Sequence, residues 1–383
     1  MEGLVSPDAD GPRLLYGEIE EDLRASVRAL LTDRCPWQAV LARVETAEVT
    51  DTALWRALAA IGAAGLPIAD ADGGSGASFR EASVVAEELG RAVAPVPFLG
   101  SAVLATAALL ALPDSGGGRP SAGTLAGLAA GERTATLLVP LATPPDAPFP
   151  ASVRAADGRL TGTVRGAADA DVADLLVVPA TGPDGAGLYL VAAADSERTP
   201  LVGLDLTRPL ADIRLSAAPA RALATGAPAE QAVRSALVTG AALLAAEQLG
   251  VAEWALETTI GHLRIRTQFA RPLGSFQALK HRLADLWVAI SQARAVVRNA
   301  AGAVAAGGPD APLAAALAQA FVPGVAVRAA EEAVQMHGGI GFTWEHPAHL
   351  YLKRAKSAAL ALGTADRHRA AIARMVDLPG ADG

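Results

Sequence analysis

The chain is predicted to be an α+β protein in three parts: an N-terminal helical domain over residues 1–120, a small central antiparallel β domain over 121–228, and a C-terminal helical bundle over 229–383. Two changes of pattern carry this reading. Apolar residues recur at helical spacing from Leu23 to about Leu112, give way after Gly131 to short β-type runs, and return to helical spacing from Glu230 to Met375. The β-type runs, Thr134 to Leu141, Arg159 to Val164, Asp174 to Val178 and Gly187 to Ala192, are separated by Pro, Gly and Asp, as in a small barrel or sandwich.

The first part breaks at Cys35-Pro36, Gly65-Leu66-Pro67, the Gly73-Gly74-Ser75-Gly76 loop and Pro95-Val96-Pro97. Between them, Phe79 to Arg91 carries apolar residues on one face and Glu81, Glu87 and Glu88 on the other, which predicts a surface helix. The glycine loop reads as a connector, because one such loop says little about phosphate binding. Gly116 to Pro120 ends the helical pattern, and the C-terminal pattern is interrupted at Gly307-Gly308-Pro309 and at Pro323-Gly324. The near-apolar run from Ser235 to Ala252 contains Glu247 and Gln248 and continues into a charged helix, so a buried bundle helix explains it better than a membrane span.

A net charge of −8 leaves no basic face for a nucleic-acid partner. With 51% hydrophobic residues and only 4% aromatic, the core must be assembled from small side chains and close helix contacts. The one cysteine, Cys35, excludes an internal disulfide and fits a reducing compartment. Its Pro36-Trp37 surroundings suit a half-buried thiol rather than a reactive one. Acidic residues after Met1 give no signal-peptide pattern, and a cytoplasmic protein is expected.

Two stretches stand out: RIRTQFARPLGSFQALKHR, Arg264 to Arg282, and QMHGGIGFTWEHPAHLYLKRAK, Gln335 to Lys356. Each interrupts a helical pattern, with Arg-Pro-Leu-Gly at 271–274 and His-Gly-Gly at 337–339. Arginine, glutamine and bare glycine N–H groups are what a pyrophosphate needs, so the two read as walls of one nucleotide site. Together, R-x-x-F-x-R-P-x-G-S-F-Q and Q-M-H-G-G-I-G resemble the C-terminal domain of the FAD-dependent acyl-CoA dehydrogenases, in particular the heteromeric actinobacterial-type branch. The resemblance is fullest over residues 230–375 and weakest in the middle of the chain.

That resemblance implies a helical, then β, then four-helix-bundle architecture, with FAD held across a subunit interface. It assigns Arg266, Phe269, Gln277, Gln335, Gly338 and Gly339 to the pyrophosphate and adenosine, and adds Thr364 to the cofactor site. Ala270 departs from the family's usual glycine. The implied reaction is α,β-dehydrogenation of an acyl-CoA or acyl-carrier-protein thioester, with an electron-transfer flavoprotein as acceptor.

Other parts of the pattern are missing. Where the family carries a Thr-Glu-Pro-type turn and a Trp-Ile-Thr-Asn-type strand against the flavin ring, this chain reads Val139-Pro140-Leu141-Ala142-Thr143 and Val164-Arg165-Gly166-Ala167-Ala168. Leu362 precedes Gly363-Thr364 where most of the family has its base, and Gly240 stands where a minority places it. Glu247, roughly two turns beyond Gly240 on the same helix face, is the first candidate for a displaced base. The alternative is a buried carboxylate paired with Arg234, Arg282 or an arginine of another subunit. Asp366 and Glu345 are lesser candidates, and His337, His346 and His349 lack a metal-ligand repeat. A chain that keeps the tail-binding half and loses the ring-holding half suggests a heteromer with a paralogous subunit, although a homo-oligomer stays open. The rival is a non-redox subunit on the same fold, structural or recruited to another acyl or polyketide transformation.

Overall fold

The computed structural model describes residues 14–113 and 121–377. The expected break at Gly116 to Pro120 and the chain's first residues lie outside them. The N-terminal helices are α1 (Glu18–Arg34), α2 (Trp37–Val44), α3 (Thr52–Ala60) and α4 (Phe79–Ala92), then a π-helical segment, Phe98–Ala105, running into α5 (Thr106–Leu110), and α6 (Ala122–Ala129). A sheet follows: β1 (Ala135–Leu137), β2 (Val153–Ala156), β3 (Arg159–Ala168), β4 (Leu175–Gly182), β5 (Gly185–Ala192), β6 (Glu197–Leu201), β7 (Leu210–Pro219) and β8 (Arg221–Thr225). The last part holds α7 (Ala227–Ile265), a hairpin of β9 (Thr267–Gln268) and β10 (Arg271–Pro272), α8 (Gln277–Ala306), α9 (Ala311–His337), α10 (Ala348–Ala358) and α11 (Ala365–Met375).

All four expected β-type runs form strands, and the sheet order is β6-β7-β3-β2-β4-β5-β8 with β1 beside β4. It is a mixed sheet, because β1 and β2 each pair parallel to β4. Strand β6 escaped the pattern because it is exposed along its whole length and has no buried alternate face.

Small side chains let α7 run through the middle of the molecule. A Cβ on Gly250 would lie 1.9 Å from the Glu87 carbonyl oxygen, and one on Gly90 would lie 2.0 Å from that of Glu247. Backbone thus meets backbone where α4 crosses α7, a contact only glycine permits. Both α7 and α9 are apolar and long enough to cross a membrane, yet 89% of the α7 window is buried within the fold. Pro323 sits inside α9 without ending it, so the expected interruption there is absent, whereas Gly307 takes φ +65° and does separate α8 from α9.

Helix α4 departs from the surface helix that its pattern predicts. Helix α1 lies over its acidic face, leaving Glu87 and Glu88 each 2% exposed. Arg24 donates to Glu87 at 2.6 Å, and Arg28 binds Glu88 through Nε and Nη2 at 2.8 and 2.6 Å. Paired arginines make these carboxylates tolerable inside, and spacing alone does not reveal partners some 60 residues away.

Candidate functional site

The first motif folds at the end of α7. After Ile265 the chain makes a two-residue hairpin, with Gln268 opposite Arg271 and Thr267 opposite Pro272. Phe269 and Ala270 occupy its turn at φ +53° and +61°. Positive φ at both central positions is what a type I′ turn demands, and Ala270 adopts it without glycine's freedom. The turn holds Phe269 out at 86% exposure. Arg266 and Gln277 are exposed as well.

The second motif folds at the end of α9. Gly338 takes φ +64° and ψ −140°, a region open to glycine alone, and the chain turns through Gly338–Phe342. A Cβ on Gly338 or Gly339 would meet nothing within 4 Å, so their backbone stands open to an approaching group. Gly341 is different, since a Cβ there would lie 2.6 Å from the Val334 carbonyl oxygen.

Three imidazoles, tilted against one another, bring the two motifs together. His262 on α7 and His337 at the end of α9 have ring centroids 4.4 Å apart, and His346 lies 4.2 Å beyond His337. Burial depresses all three, His346 to about 4. The side chains of Arg266, Gln277 and Gln335 face solvent at the same end of the bundle. Ile265, Trp287, Phe342 and Trp344 are also at least half exposed, an apolar surface of the kind that marks an interface.

The positions expected to carry the base come together at a second place. A Cβ on Gly240 would lie 3.1 Å from Leu362 Cδ1 and 2.5 Å from Leu104 Cδ2. Both base positions therefore face one another, and hydrocarbon fills the space between them. Leu362 is fully buried.

Family models agree with this layout. The acyl-CoA dehydrogenase N-terminal domain matches residues 17–132, and the C-terminal domain matches residues 231–376. Acyl-CoA dehydrogenase IpdE2 of Mycobacterium tuberculosis (strain ATCC 25618 / H37Rv) is 37% identical over 343 residues, covering 89% of this chain and 92% of that protein.

The chain belongs to the acyl-CoA dehydrogenase family.

Among solved structures, the Tcur3481-Tcur3483 steroid ACAD superposes with a TM-score of 0.83 at 31% identity, covering 94% of this chain and 98% of that one. The ChsE4-ChsE5 complex from Mycobacterium tuberculosis gives 0.83 at 29% identity, covering 96% and 100%.

Within this member of the family, the tail-side motifs have the donor set that the pyrophosphate end of FAD would need. They offer open glycine amides and exposed guanidinium and amide groups. The ring side does not fit. The Leu141 amide donates to the Gly166 carbonyl at 3.0 Å, and the Leu362 amide donates to the Leu141 carbonyl at 2.7 Å. The Gly166 amide is taken by Asp212 at 2.9 Å. The three segments that the family pattern places around a flavin ring are thus bonded to one another through these amides, and their only polar side chains are Thr143, Arg165 and Thr364. Thr364 caps α11, accepting from the Arg367 amide at 3.4 Å.

Glu247 lies in a buried ionic cluster where the sheet meets both helical parts. Arg208 donates to its carboxylate, and Arg354 Nε stands 3.6 Å from Oε1. Arg354 also stands 3.3 Å from Asp205 and donates to the Ala94 carbonyl at 3.2 Å. The arginines expected as partners are elsewhere: Arg282 pairs with Glu332, and Arg234 is exposed. Asp366 pairs with Arg369 on the surface, and Glu345 is exposed. The sequence pattern missed Arg208 because it lies on the β6–β7 connection, far along the chain from Glu247.

Asp169 borders the cluster. Burial pushes its carboxyl up to about 7, against the pull of Arg208 and of the Gly100 amide, which donates to it at 2.9 Å. Glu87 is likewise pushed up to about 7 by burial. Unfolded, both groups would titrate near 4, so each takes up a proton on folding between those values. Their stabilising contribution is complete at low pH and is lost as pH rises through about 7. The depressed histidines act in the opposite sense, losing stability as pH falls below about 6.5. Lowering the pH from 8 to 6.5 should therefore add under about 1 kcal/mol of stability through each carboxyl, against an opposing loss from the histidines. The Asp169 share is read by chemical denaturation as the difference between wild type and Asp169→Asn, whose stability should fall further, or rise less, across that range. The same pH dependence in both proteins would contradict this assignment.

A cavity of about 480 Å³ runs beside α5 and α7, lined by Ala107, Leu110, Gln231, Arg234 and Val238 among others. Arg234 also lines a second hollow of about 140 Å³ with Pro145, Phe149 and Glu230.

Proposed function

We propose that this chain is one subunit of a heteromeric acyl-CoA dehydrogenase and supplies the surface that holds the FAD tail. A paralogous subunit supplies the ring-side contacts and the catalytic base. One observation carries the reading. The tail-side motifs stand open at the bundle end, while Gly240 and Leu362, which face each other across hydrocarbon, offer no carboxylate.

Bound FAD supplies the hydride acceptor for α,β-dehydrogenation of an acyl thioester. This chain contributes binding and orientation. Arg266 and the Gly338 and Gly339 amides would hold the pyrophosphate, and Gln277, Gln335 and Phe269 would hold the adenosine side. Thr364 keeps a hydroxyl at the opposite edge, beside the absent base. The cavity along α7, with Arg234 at its rim, suits the carrier arm of a CoA or acyl-carrier-protein thioester. An electron-transfer flavoprotein would be the acceptor in this reading. Glu247, held by two arginines, serves the fold in this reading rather than the proton transfer. A non-redox subunit on the same fold remains the second reading, because the missing carboxylate supports it equally.

Co-expression with a paralogous acyl-CoA dehydrogenase subunit separates the two. The proposal expects a yellow complex bleached by acyl-CoA. Its turnover should survive Glu247→Gln here and be abolished by replacing the partner's base. A colourless complex that never bleaches would favour the non-redox subunit. Arg266→Ala should weaken flavin retention about tenfold or more, as expected on losing a charged contact to phosphate.

A further inference from the structure

The bundle end that carries both motifs is built around a column of rings. Tyr351 anchors its base, donating to the Arg91 carbonyl at 2.6 Å and stacking on Trp254. His346 lies 6.4 Å from Trp254, and the His337 and His262 rings follow at successive steps of 4.2 and 4.4 Å. Each imidazole sits at a joint of the chain. His262 is one turn before Arg266, whose amide donates to its carbonyl at 2.9 Å, His337 directly precedes Gly338, and His346 stands at the start of α10. Among the described residues no group of His, Cys, Asp and Glu could hold a metal ion, which leaves proton binding as the chemistry of the column.

Hydrogen bonding sets where the protons are. A carbonyl only accepts, so the 2.7 Å bond between His337 and Ala333 places a proton on Nδ1 of that ring. The Ala348 amide donates to His346 Nδ1 at 3.3 Å, so that nitrogen is bare, and a proton on it would abolish the bond. His346 also stands where the dipole of α10 opposes a cation. The charged groups acting on the column share one sign: Arg266 acts on His262, His349 on His346, and Lys353 on His349. The nearby carboxylates of the helices that carry the rings are engaged elsewhere. On α7, Arg294 holds Glu253 and Arg91 holds Glu257, and on α9, Lys356 holds Glu331 and Arg282 holds Glu332. Glu345 is exposed and makes no ion pair among the described residues.

We propose that this column makes the FAD-tail site proton-sensitive: the closed rings exclude protons, and their opening, which carries the Gly338–Phe342 turn with it, admits them. This rests on the assignment of Arg266, Gly338 and Gly339 to the FAD tail. Gly338 is the hinge, since its backbone angles are open to glycine alone and nothing packs where its Cβ would be. Rings in an open turn titrate near 6.5, whereas the closed column holds them below that value. The closed form is therefore fully favoured above about pH 6.5 and loses ground as pH falls below it. Acid opens the turn and releases flavin and the partner subunit together.

Amide hydrogen exchange of residues 338–346 in the isolated full-length chain, read by mass spectrometry at pH 7.5 and 5.5 and corrected for the intrinsic rate, tests this without flavin. Corrected exchange should be about tenfold faster or more at pH 5.5. His262→Gln removes one titrating ring, so its opening should depend on about one proton fewer, while exposed His281→Gln on α8 should match wild type. A variant that only loosens the turn would speed exchange equally at both pH values and keep the wild-type dependence. In the co-purified complex, His262→Gln should retain flavin to lower pH than wild type. Equal corrected exchange at the two pH values, or the wild-type pH dependence in His262→Gln, would overturn the proposal. A proton-sensitive turn in a chain whose complex never holds flavin would uphold the column and contradict only the tail assignment.

Discussion

Arg354→Met is expected to lose about 3–5 kcal/mol of stability, a large part of what holds a domain together. Arg354 is 3% exposed and reaches Asp205, Glu247 and the Ala94 carbonyl at once. Without it, Arg208 alone must balance the buried carboxylates of Asp205 and Glu247, with Asp169 beside them. Only part of that burden can be met locally, because the Thr207 amide and hydroxyl bind Asp205 at 2.9 and 2.6 Å but bring no charge. Methionine fills much of the same volume, which isolates the charge from the packing. Equilibrium denaturation would show a lowered midpoint. A midpoint within about 0.5 kcal/mol of wild type would mean that the cluster is solvated or already partly protonated. Glu247→Gln should cost less, since the amide can still accept from Arg208.

Phe269→Glu is expected to prevent assembly with a partner subunit while leaving the isolated chain folded. The side chain is 86% exposed at the tip of a hairpin, so no intramolecular packing of consequence is lost. A carboxylate there would be desolvated in an interface built around Ile265, Trp287, Phe342 and Trp344, and it would oppose a cofactor pyrophosphate. Size-exclusion chromatography should show the complex dissociated and flavin absent, with an unchanged circular dichroism spectrum. An intact, flavin-bearing assembly would move the interface elsewhere on the molecule.

Local patterns were read well where one face decided the structure. The helical spacing before and after the sheet, the four regularly bounded strands, and the glycine turn at 338 follow from neighbours within a few residues. The resemblance also placed Gly240 and Leu362 in the same role, and the fold sets them side by side. Long-range pairing was not legible. Glu87 and Glu88 look like a solvated face until Arg24 and Arg28 arrive from α1, and Glu247 looks unpartnered until a sheet connection delivers Arg208. Pro323 looks like a helix break, but α9 absorbs it.

The most direct test of the central claim is the visible absorbance spectrum of the purified chain, taken alone with excess FAD and again after co-purification with a paralogous subunit. Our account predicts little or no bound flavin in the first sample and flavin bands in the second. Stoichiometric flavin in the isolated chain, bleached by an acyl-CoA, would contradict it, because this subunit would then complete both halves of the site by itself.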